Sequence, residues 1–297
     1  MRFIANLMDF EVDPGPWAMA REAEGWDGVA ASDHYFVRRG SRWYPHLWVA
    51  VAQMAAATDR IVVTSAFANN LFRSPVEFVL ASLTMQRASA GRWEAGLGAG
   101  WNKEELELTG QPFPSNRERA DRYSEAVQVA RRLFDDRACA FDGEYYHVHV
   151  DDMAGFDDVA SPPLVGAVGG PRTVRHAVPF LDRVDLKVSS VANRSGSMDY
   201  QALGRLTRQD LAALVARVRE VSEDVPLGFF ALCGEEASGA QIRTGGGEDS
   251  LYGRLFGDAG KIADTLLGLE ADGITYVNVC PKDESTFERL APYLFGR

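Results

Sequence analysis

Short apolar runs alternate with longer stretches of helical periodicity along this chain, and the alternation predicts strands separated by helices. Eight runs have the length of a strand: Arg2–Leu7, Gly28–Ser32, Ile61–Phe67, Trp93–Leu97, Pro163–Val168, Val184–Ser189, Pro226–Leu232 and Thr275–Cys280. Eight parallel strands with helices between them predict the α/β class and a (β/α)8 TIM barrel. No linker interrupts the pattern, so we expect residues 1–297 to form one domain.

Local signals mark several helix ends and two departures from the repeat. Ser74 and Pro75 have the residue types of an N-cap and a first helical position, and Gly273 is placed as a C-cap glycine. The polar, glycine- and serine-rich segments Val191–Leu206 and Gly234–Gly253 predict long loops at the carboxyl ends of strands. In a barrel that face carries the active site, so such insertions are expected to cover a ligand.

Composition narrows the class of protein. The formal net charge of -11 argues against a nucleic-acid partner, because phosphate binding needs clustered Lys and Arg. No stretch approaches the roughly 20 apolar residues of a membrane span, and the first residues predict a strand rather than a signal peptide. The three cysteines have no CxxC spacing and no metal-ligand cluster is evident. We therefore expect a soluble cytoplasmic protein without a metal site.

The end of the second predicted strand carries the first candidate for chemistry. Asp33 and His34 follow Ser32 directly, which places them at the barrel mouth. A histidine there can exchange a proton near neutral pH. A histidine hydrogen-bonded into the loop with no chemical role is the alternative.

Two glycine-rich blocks end the fourth and fifth strands. Gly96, Gly98 and Gly100 alternate, so a flat ligand can approach the backbone beside Ala99, although tight barrel packing would also explain them. The block lacks the GxGxxG spacing of a dinucleotide site. Gly169 and Gly170 precede a helix whose amino end favours an anion, and an ordinary glycine turn is the alternative.

These segments, taken in order, resemble the luciferase-like monooxygenase superfamily, and specifically its actinobacterial branch dependent on coenzyme F420, a deazaflavin. The matching stretches are Ser32–His34, Phe72–Pro75, Gly91–Glu105, Phe141–Tyr146, Val168–Thr173 and Asp272–Val277. The resemblance covers nearly the whole chain and is weakest from about Val191 to Leu255. Gly91–Glu105 is its most specific part.

The resemblance implies a bacterial luciferase-like barrel with the cofactor ring at its carboxyl face and His34 beside that ring as an acid/base or polar anchor. It further implies a non-prolyl cis peptide at Ser65–Ala66 behind the ring, and cofactor phosphate at the backbone of Gly169 and Gly170. Members that oxidise a phosphorylated sugar carry a glutamate where this chain has Trp101, which argues against that reaction. A homodimer packed through helices near the second and third strands is also implied.

The leading hypothesis is hydride transfer between F420 and a small organic substrate, with the ring supplying the redox chemistry. Cofactor contacts are assigned to Ser65, Ala66, Gly98, Ala99, Gly100, Gly169 and Gly170, and the substrate pocket to Asp33, Trp43 and Trp101. An FMN-dependent, oxygen-using monooxygenase is the alternative, with a separate F420 or flavin reductase as a possible partner in either case. A non-catalytic flavin-binding barrel and, last, a sugar-phosphate lyase or isomerase also remain open. Lys187 is placed within the predicted sixth strand and given no role.

Overall fold

The computed structural model, which describes residues 1–8, 11–36, 44–247 and 249–296, contains a closed barrel with eight parallel strand positions. Each strand position is called a stave below, and the staves are numbered in chain order. The barrel closes because the third stave pairs with the fourth and the first pairs with the last. The strands are β1 (Arg2–Leu7), β2 (Gly28–Ala31), β3 (Val62–Ser65), β4 (Ala68–Asn69), β5 (Trp93–Gly98), β6 (Cys139–Asp142), β7 (His147–Val150), β8 (Leu164–Val168), β9 (Arg183–Leu186), β10 (Leu227–Cys233) and β11 (Ile274–Pro281). The predicted TIM barrel is therefore confirmed. The pair β6–β7 is an antiparallel hairpin outside the barrel.

Helices surround the barrel and begin where the sequence places their caps. In the described part of the chain they are α1 (Pro14–Glu24), α2 (Leu47–Ala57), α3 (Pro75–Ala88), α4 (Lys103–Leu108), α5 (Asn116–Asp136), α6 (Pro171–Ala177), α7 (Tyr200–Gly204), α8 (Arg208–Arg219), α9 (Ala240–Gly245), α10 (Ala259–Leu267) and α11 (Ser285–Phe295). Ser74 accepts a hydrogen bond from the Glu77 backbone N–H at 3.1 Å, as an N-cap does. Gly273 has φ of 79°, the left-handed conformation expected of a C-cap glycine. Crossing a bilayer requires more length and apolar character than any of these helices has.

The main hydrophobic core lies between the barrel and the helices, whereas charged residues fill part of the barrel itself. Val184 and Leu186 on β9 are fully buried in the outer core. Arg183, on the opposite face of β9, reaches across the barrel to Glu94 at 2.5 Å and bonds Asp185 at 3.1 Å. Since side chains alternate along a strand, Lys187 continues the inward row of Arg183 and Asp185.

Two expectations about local structure were wrong. The predicted third strand, Ile61–Phe67, is divided into β3 and β4, and the non-prolyl cis peptide joins Ala66 to Phe67 rather than Ser65 to Ala66. The Ala66 N–H donates to the Ala31 carbonyl at 2.9 Å, so hydrogen bonding with β2 continues one residue beyond β3. The predicted loops Val191–Leu206 and Gly234–Gly253 contain the short helices α7 and α9, which contact each other.

Candidate functional site

The carboxyl ends of the strands surround a mouth lined by both polar and aromatic side chains. Ser32, just beyond β2, donates a hydrogen bond to the Asn6 side chain on β1 at 3.3 Å. On the other side of the mouth, the Lys187 ammonium lies 3.0 Å from the ring centroid of Phe230 and 5.0 Å from that of Phe67. The Lys187–Phe67 contact joins staves that are not neighbours in the barrel, so these two side chains lie inside the barrel opening.

His34 is held at the mouth by a buried carboxylate. Its Nδ1 lies 2.9 and 3.1 Å from the two carboxylate oxygens of Glu105 on α4, whose side chain is 0 % exposed. The same carboxylate accepts the backbone N–H groups of Tyr35 at 2.7 Å and Phe36 at 3.3 Å. A carboxylate at Nδ1 favours the tautomer that carries its proton there, and Nε2 is then the atom that can take or give a proton. This pair is the strongest acid/base arrangement at the mouth.

Aromatic rings enclose the histidine. The Tyr44 ring centroid lies 5.4 Å from that of His34, and the Trp101 indole packs edge-on at 5.7 Å. Burial raises the pKa of the Tyr44 hydroxyl, so this wall is uncharged at neutral pH. Trp101 therefore lies beside His34, and its assignment to the substrate pocket stays a prediction, whereas Trp43 is outside the described residues.

The Asp33 carboxylate forms an ion pair with Arg73 at the end of β2. Its carboxylate accepts hydrogen bonds from the Arg73 guanidinium and, at 2.6 Å, from the Asn69 backbone N–H. These contacts tie the end of β2 to β4 and to the start of α3. Asp33 also lines a cleft with His34 and Tyr44. Its assignment as a substrate-pocket residue stays a prediction.

The third stave supplies the surface opposite the long loops. The Ser65 hydroxyl is engaged by Gly96, donating to its carbonyl at 2.7 Å and accepting its N–H at 3.1 Å. Ala66 is buried, and its carbonyl lies 3.4 Å from the Ser32 hydroxyl. The Ser65 side chain thus joins β3 to β5, and a cofactor contact from this residue would have to come from its backbone.

The glycines of the fourth stave are explained partly by packing. A Cβ on Gly96 would lie 1.9 Å from the Ser65 carbonyl oxygen, and one on Gly98 would lie 3.1 Å from Phe67 Cβ. Gly100 has φ of 76°, and a Cβ there would meet the Asn69 side chain at 2.4 Å. The packing alternative therefore explains Gly96 and Gly100. Cofactor contacts at Gly98, Ala99 and Gly100 stay predictions.

The two glycines after β8 differ in the space around them. A Cβ on Gly169 would collide with the Ser190 hydroxyl at 2.3 Å and the Lys187 carbonyl at 2.5 Å. At Gly170 a Cβ would have no described heavy atom within 4 Å. Gly169 is required for packing against the connection after β9, while Gly170 borders open space. The predicted phosphate contact is compatible with Gly170 and is not tested for either residue.

Two residues of the mouth were missed by the sequence interpretation. Glu105 lies within the most specific matching stretch, but nothing in the pattern distinguishes it from its neighbour Glu104, which is less buried. Lys187 was placed inside a strand, whereas β9 ends at Leu186 and leaves the lysine at the mouth. The period-2 row Arg183, Asp185, Lys187 was the available signal, because three charged residues on one face of a barrel strand are unusual for a plain core.

Sequence comparison assigns this barrel to a family. The luciferase-like monooxygenase family model matches residues 16–183, more than half of the chain, and the protein belongs to that family. F420-dependent glucose-6-phosphate dehydrogenases of Intrasporangium calvum and Kineococcus radiotolerans are each 32 % identical to it. The alignments cover 52 % and 54 % of this chain, and 48 % of each relative. The chain thus spans about half the length of the curated relatives it matches.

Solved structures match over almost the entire fold. An F420-dependent secondary alcohol dehydrogenase in complex with an F420-acetone adduct has a TM-score of 0.74 at 16 % identity, covering 99 % of this chain and 98 % of the other. The monooxygenase RslO1 from Streptomyces bottropensis has a TM-score of 0.71 at 15 % identity, covering 99 % and 96 %. At such identities the likeness establishes the fold alone.

Proposed function

We propose that the protein is an oxidoreductase that transfers a hydride between coenzyme F420 and a small organic substrate at the mouth of the barrel. The observation that carries the proposal is the His34–Glu105 pair, which places an oriented imidazole beside the open mouth. Family membership and the F420-dependent activity in the names of the matching relatives support the choice of cofactor.

The residues at the mouth fit a flat ring that offers hydrogen-bonding edges. The Asn6 side-chain N–H2 group is buried and has no acceptor among the described residues, and the carbonyl oxygen of the Asn278 side chain has no donor there. Ala167, Gly98 and Gly170 carry little or no side chain. Bound there, the deazaflavin would supply the hydride chemistry, while the protein orients the reactants.

His34 would handle the proton that accompanies the hydride. Oxidation of an alcohol carbon releases a hydride and a proton from the hydroxyl group, and His34 Nε2 can accept that proton. Glu105 holds the ring orientation and stabilises the imidazolium that forms. In the reverse direction, the imidazolium returns the proton to a carbonyl oxygen. The Tyr44 and Trp101 rings limit water around the imidazole.

Turnover in the absence of oxygen tests the reaction class. Oxidised F420 is mixed with a panel of small alcohols, and reduced F420 with the matching carbonyl compounds, under nitrogen. We expect the deazaflavin absorbance to change when substrate is added. The amount of product formed should equal the amount of F420 converted. An activity that consumes oxygen and requires reduced FMN would replace the proposal with the monooxygenase alternative.

We further propose a homodimer formed through the helices that follow the second and third staves. Val49 on α2 and Leu80 on α3 are 57 % and 47 % exposed, and Met19 on α1 is 53 % exposed. Apolar side chains grouped on adjoining helices are typical of an interface.

The proposal has three further parts: residues 1–297 form a single folding unit, a separate reductase regenerates the cofactor, and the protein is located in the cytoplasm. Buried cysteines without disulfides support the last point.

A further inference from the structure

Lys187 presents an amine at the mouth that the proposed proton transfer does not use. It follows β9 directly, and its Nζ lies against the Phe230 ring at 3.0 Å and the Phe67 ring at 5.0 Å. The two rings come from β10 and from the β3–β4 connection, so the amine projects across the opening. The residue is half-buried. Its charge is therefore placed among apolar rings at the point where a ligand would enter.

No salt bridge joins this ammonium to a carboxylate within the described ranges of the chain, although the charge of Asp185 partly offsets the effect of burial on the Lys187 pKa. Asp185, two residues earlier on the same inner face, is engaged by Arg183 at 3.1 Å, and Arg183 also bonds Glu94. The Cys280 thiol of β11 is the other ionisable group near the amine, and burial raises its pKa, so it is neutral. Burial lowers the pKa of Lys187 to about 7. An isolated ammonium in such surroundings lacks a counter-ion.

We propose that Lys187 is the anion-recognising residue of the barrel mouth, binding a carboxylate or phosphate group of the substrate. An incoming anion would supply the counter-ion, and the charge-assisted hydrogen bond would be strengthened by the apolar rings around it. That the anion belongs to the substrate rests on the proposed function.

The position of Lys187 favours the substrate over the cofactor as the source of the anion. Lys187 directly follows β9, and Phe230 lies within β10; the two longest connections at this face begin after these two strands. The connection after β9 packs on the start of α4, with the Lys103 N–H donating to the Gly196 carbonyl at 3.0 Å. This connection therefore reaches the side of the mouth next to Trp101, where the proposed function places the reacting carbon.

Nuclear magnetic resonance of side-chain-labelled lysine tests the proposal without turnover. The chain has four lysines, Lys103, Lys187, Lys261 and Lys282, so Lys187→Met assigns the Lys187 signal by its disappearance. The Cε shift is titrated with pH, first alone and then with sodium phosphate, sodium acetate or F420. We expect the Lys187 signal to titrate near neutral pH and its pKa to rise with phosphate or acetate, and the responding anion identifies the group.

Binding of that anion is then compared between variants, with Lys261→Met as the matched control on the exposed surface of α10. Lys187→Met should weaken anion binding roughly 10- to 100-fold and change F420 affinity less than about twofold, whereas Lys261→Met should change neither. The proposal is overturned if neither anion moves the Lys187 signal, or if all four lysines respond equally. It is equally overturned if only F420 shifts the signal and Lys187→Met weakens F420 binding. F420 binding in the wild type separates each of these results from failure of the proposed function.

Discussion

At the scale of single residues, the chemistry of the mouth depends on which side chains have buried partners. The His34 ring contacts the buried Glu105 carboxylate through Nδ1, and the Asp33 carboxylate pairs with Arg73. Lys187 lies against aromatic rings and forms no salt bridge with a carboxylate in the described chain. These environments differ although all three residues stand at strand ends. The proposed proton transfer uses the orientation that Glu105 gives His34, the proposed anion site uses Lys187, and the substrate-pocket assignment of Asp33 stays a prediction beside its ion pair with Arg73.

Removing the charge of Glu105 should reduce turnover without affecting cofactor binding. Glu105→Gln keeps the size of the side chain but weakens the hold on Nδ1 and the stabilisation of the imidazolium. We expect kcat to fall by about 100-fold, with a changed pH profile of kcat and an F420 Kd within about twofold of wild type. The matched control is Glu104→Gln on the same helix, which should behave as wild type. Equal loss of F420 binding and turnover would mean that Glu105 only supports the fold.

The buried Lys187 should lower the free energy of unfolding at neutral pH more than at alkaline pH. Its pKa is lowered by burial from the ordinary 10.5 to about 7, so between these values the unfolded chain holds a proton that the folded chain lacks. The cost therefore builds up as pH falls from about 10 towards 7 and is constant below. Urea unfolding should show Lys187→Met more stable than wild type at pH 7 by roughly 1 to 2 kcal/mol, and less so near pH 10. An advantage independent of pH would contradict the lowered pKa.

At the scale of elements, strand and helix positions follow from the sequence, but the shape of the third stave does not. Eight apolar runs locate eight staves, and Ser74 and Gly273 mark real helix ends. The break between β3 and β4 is not visible in the sequence, since the predicted strand Ile61–Phe67 runs through it. Glu105 is likewise invisible, since the burial of one of two adjacent glutamates is decided by where α4 packs.

Substitution of the glycines by alanine distinguishes positions required for packing from positions that contact a ligand. Gly96→Ala should prevent folding, because its Cβ would overlap the Ser65 carbonyl. Gly170→Ala has open space around the added Cβ, so stability should be unchanged while F420 affinity falls at least tenfold. Gly247→Ala, another position without described neighbours within 4 Å, is the control for affinity and for thermal stability. Unchanged F420 affinity in Gly170→Ala would remove the cofactor assignment there.

At the scale of the whole molecule, a closed barrel gathers the carboxyl ends of its strands on one face and has its helices around the outside. Exposed Val49 and Leu80 lie on α2 and α3, which flank β3 in the chain, whereas the long connections of the mouth follow β9 and β10. A dimer formed there would leave the mouths accessible to substrate. Nothing in the sequence pattern alone separates this surface from the rest of the helical layer, because α2 is apolar along much of its length.

Charge introduced on this surface should break the dimer. Leu80→Glu combined with Val49→Glu buries two carboxylates at the proposed interface, so light scattering after gel filtration should give half the wild-type mass. Val221→Glu changes a residue that is 37 % exposed near the end of α8 and should leave the mass unchanged. A wild-type protein that already runs as a monomer at micromolar concentration would exclude the dimer.

The central claim is that this mouth holds a deazaflavin, and equilibrium binding tests it most directly. Purified protein is titrated with F420 and, separately, with FMN, and ligand fluorescence is followed to saturation. We predict saturable quenching by the protein, clear preference for F420, and loss of affinity in Gly170→Ala. Tighter binding of FMN, or binding of neither ligand by protein shown to be folded, would contradict it.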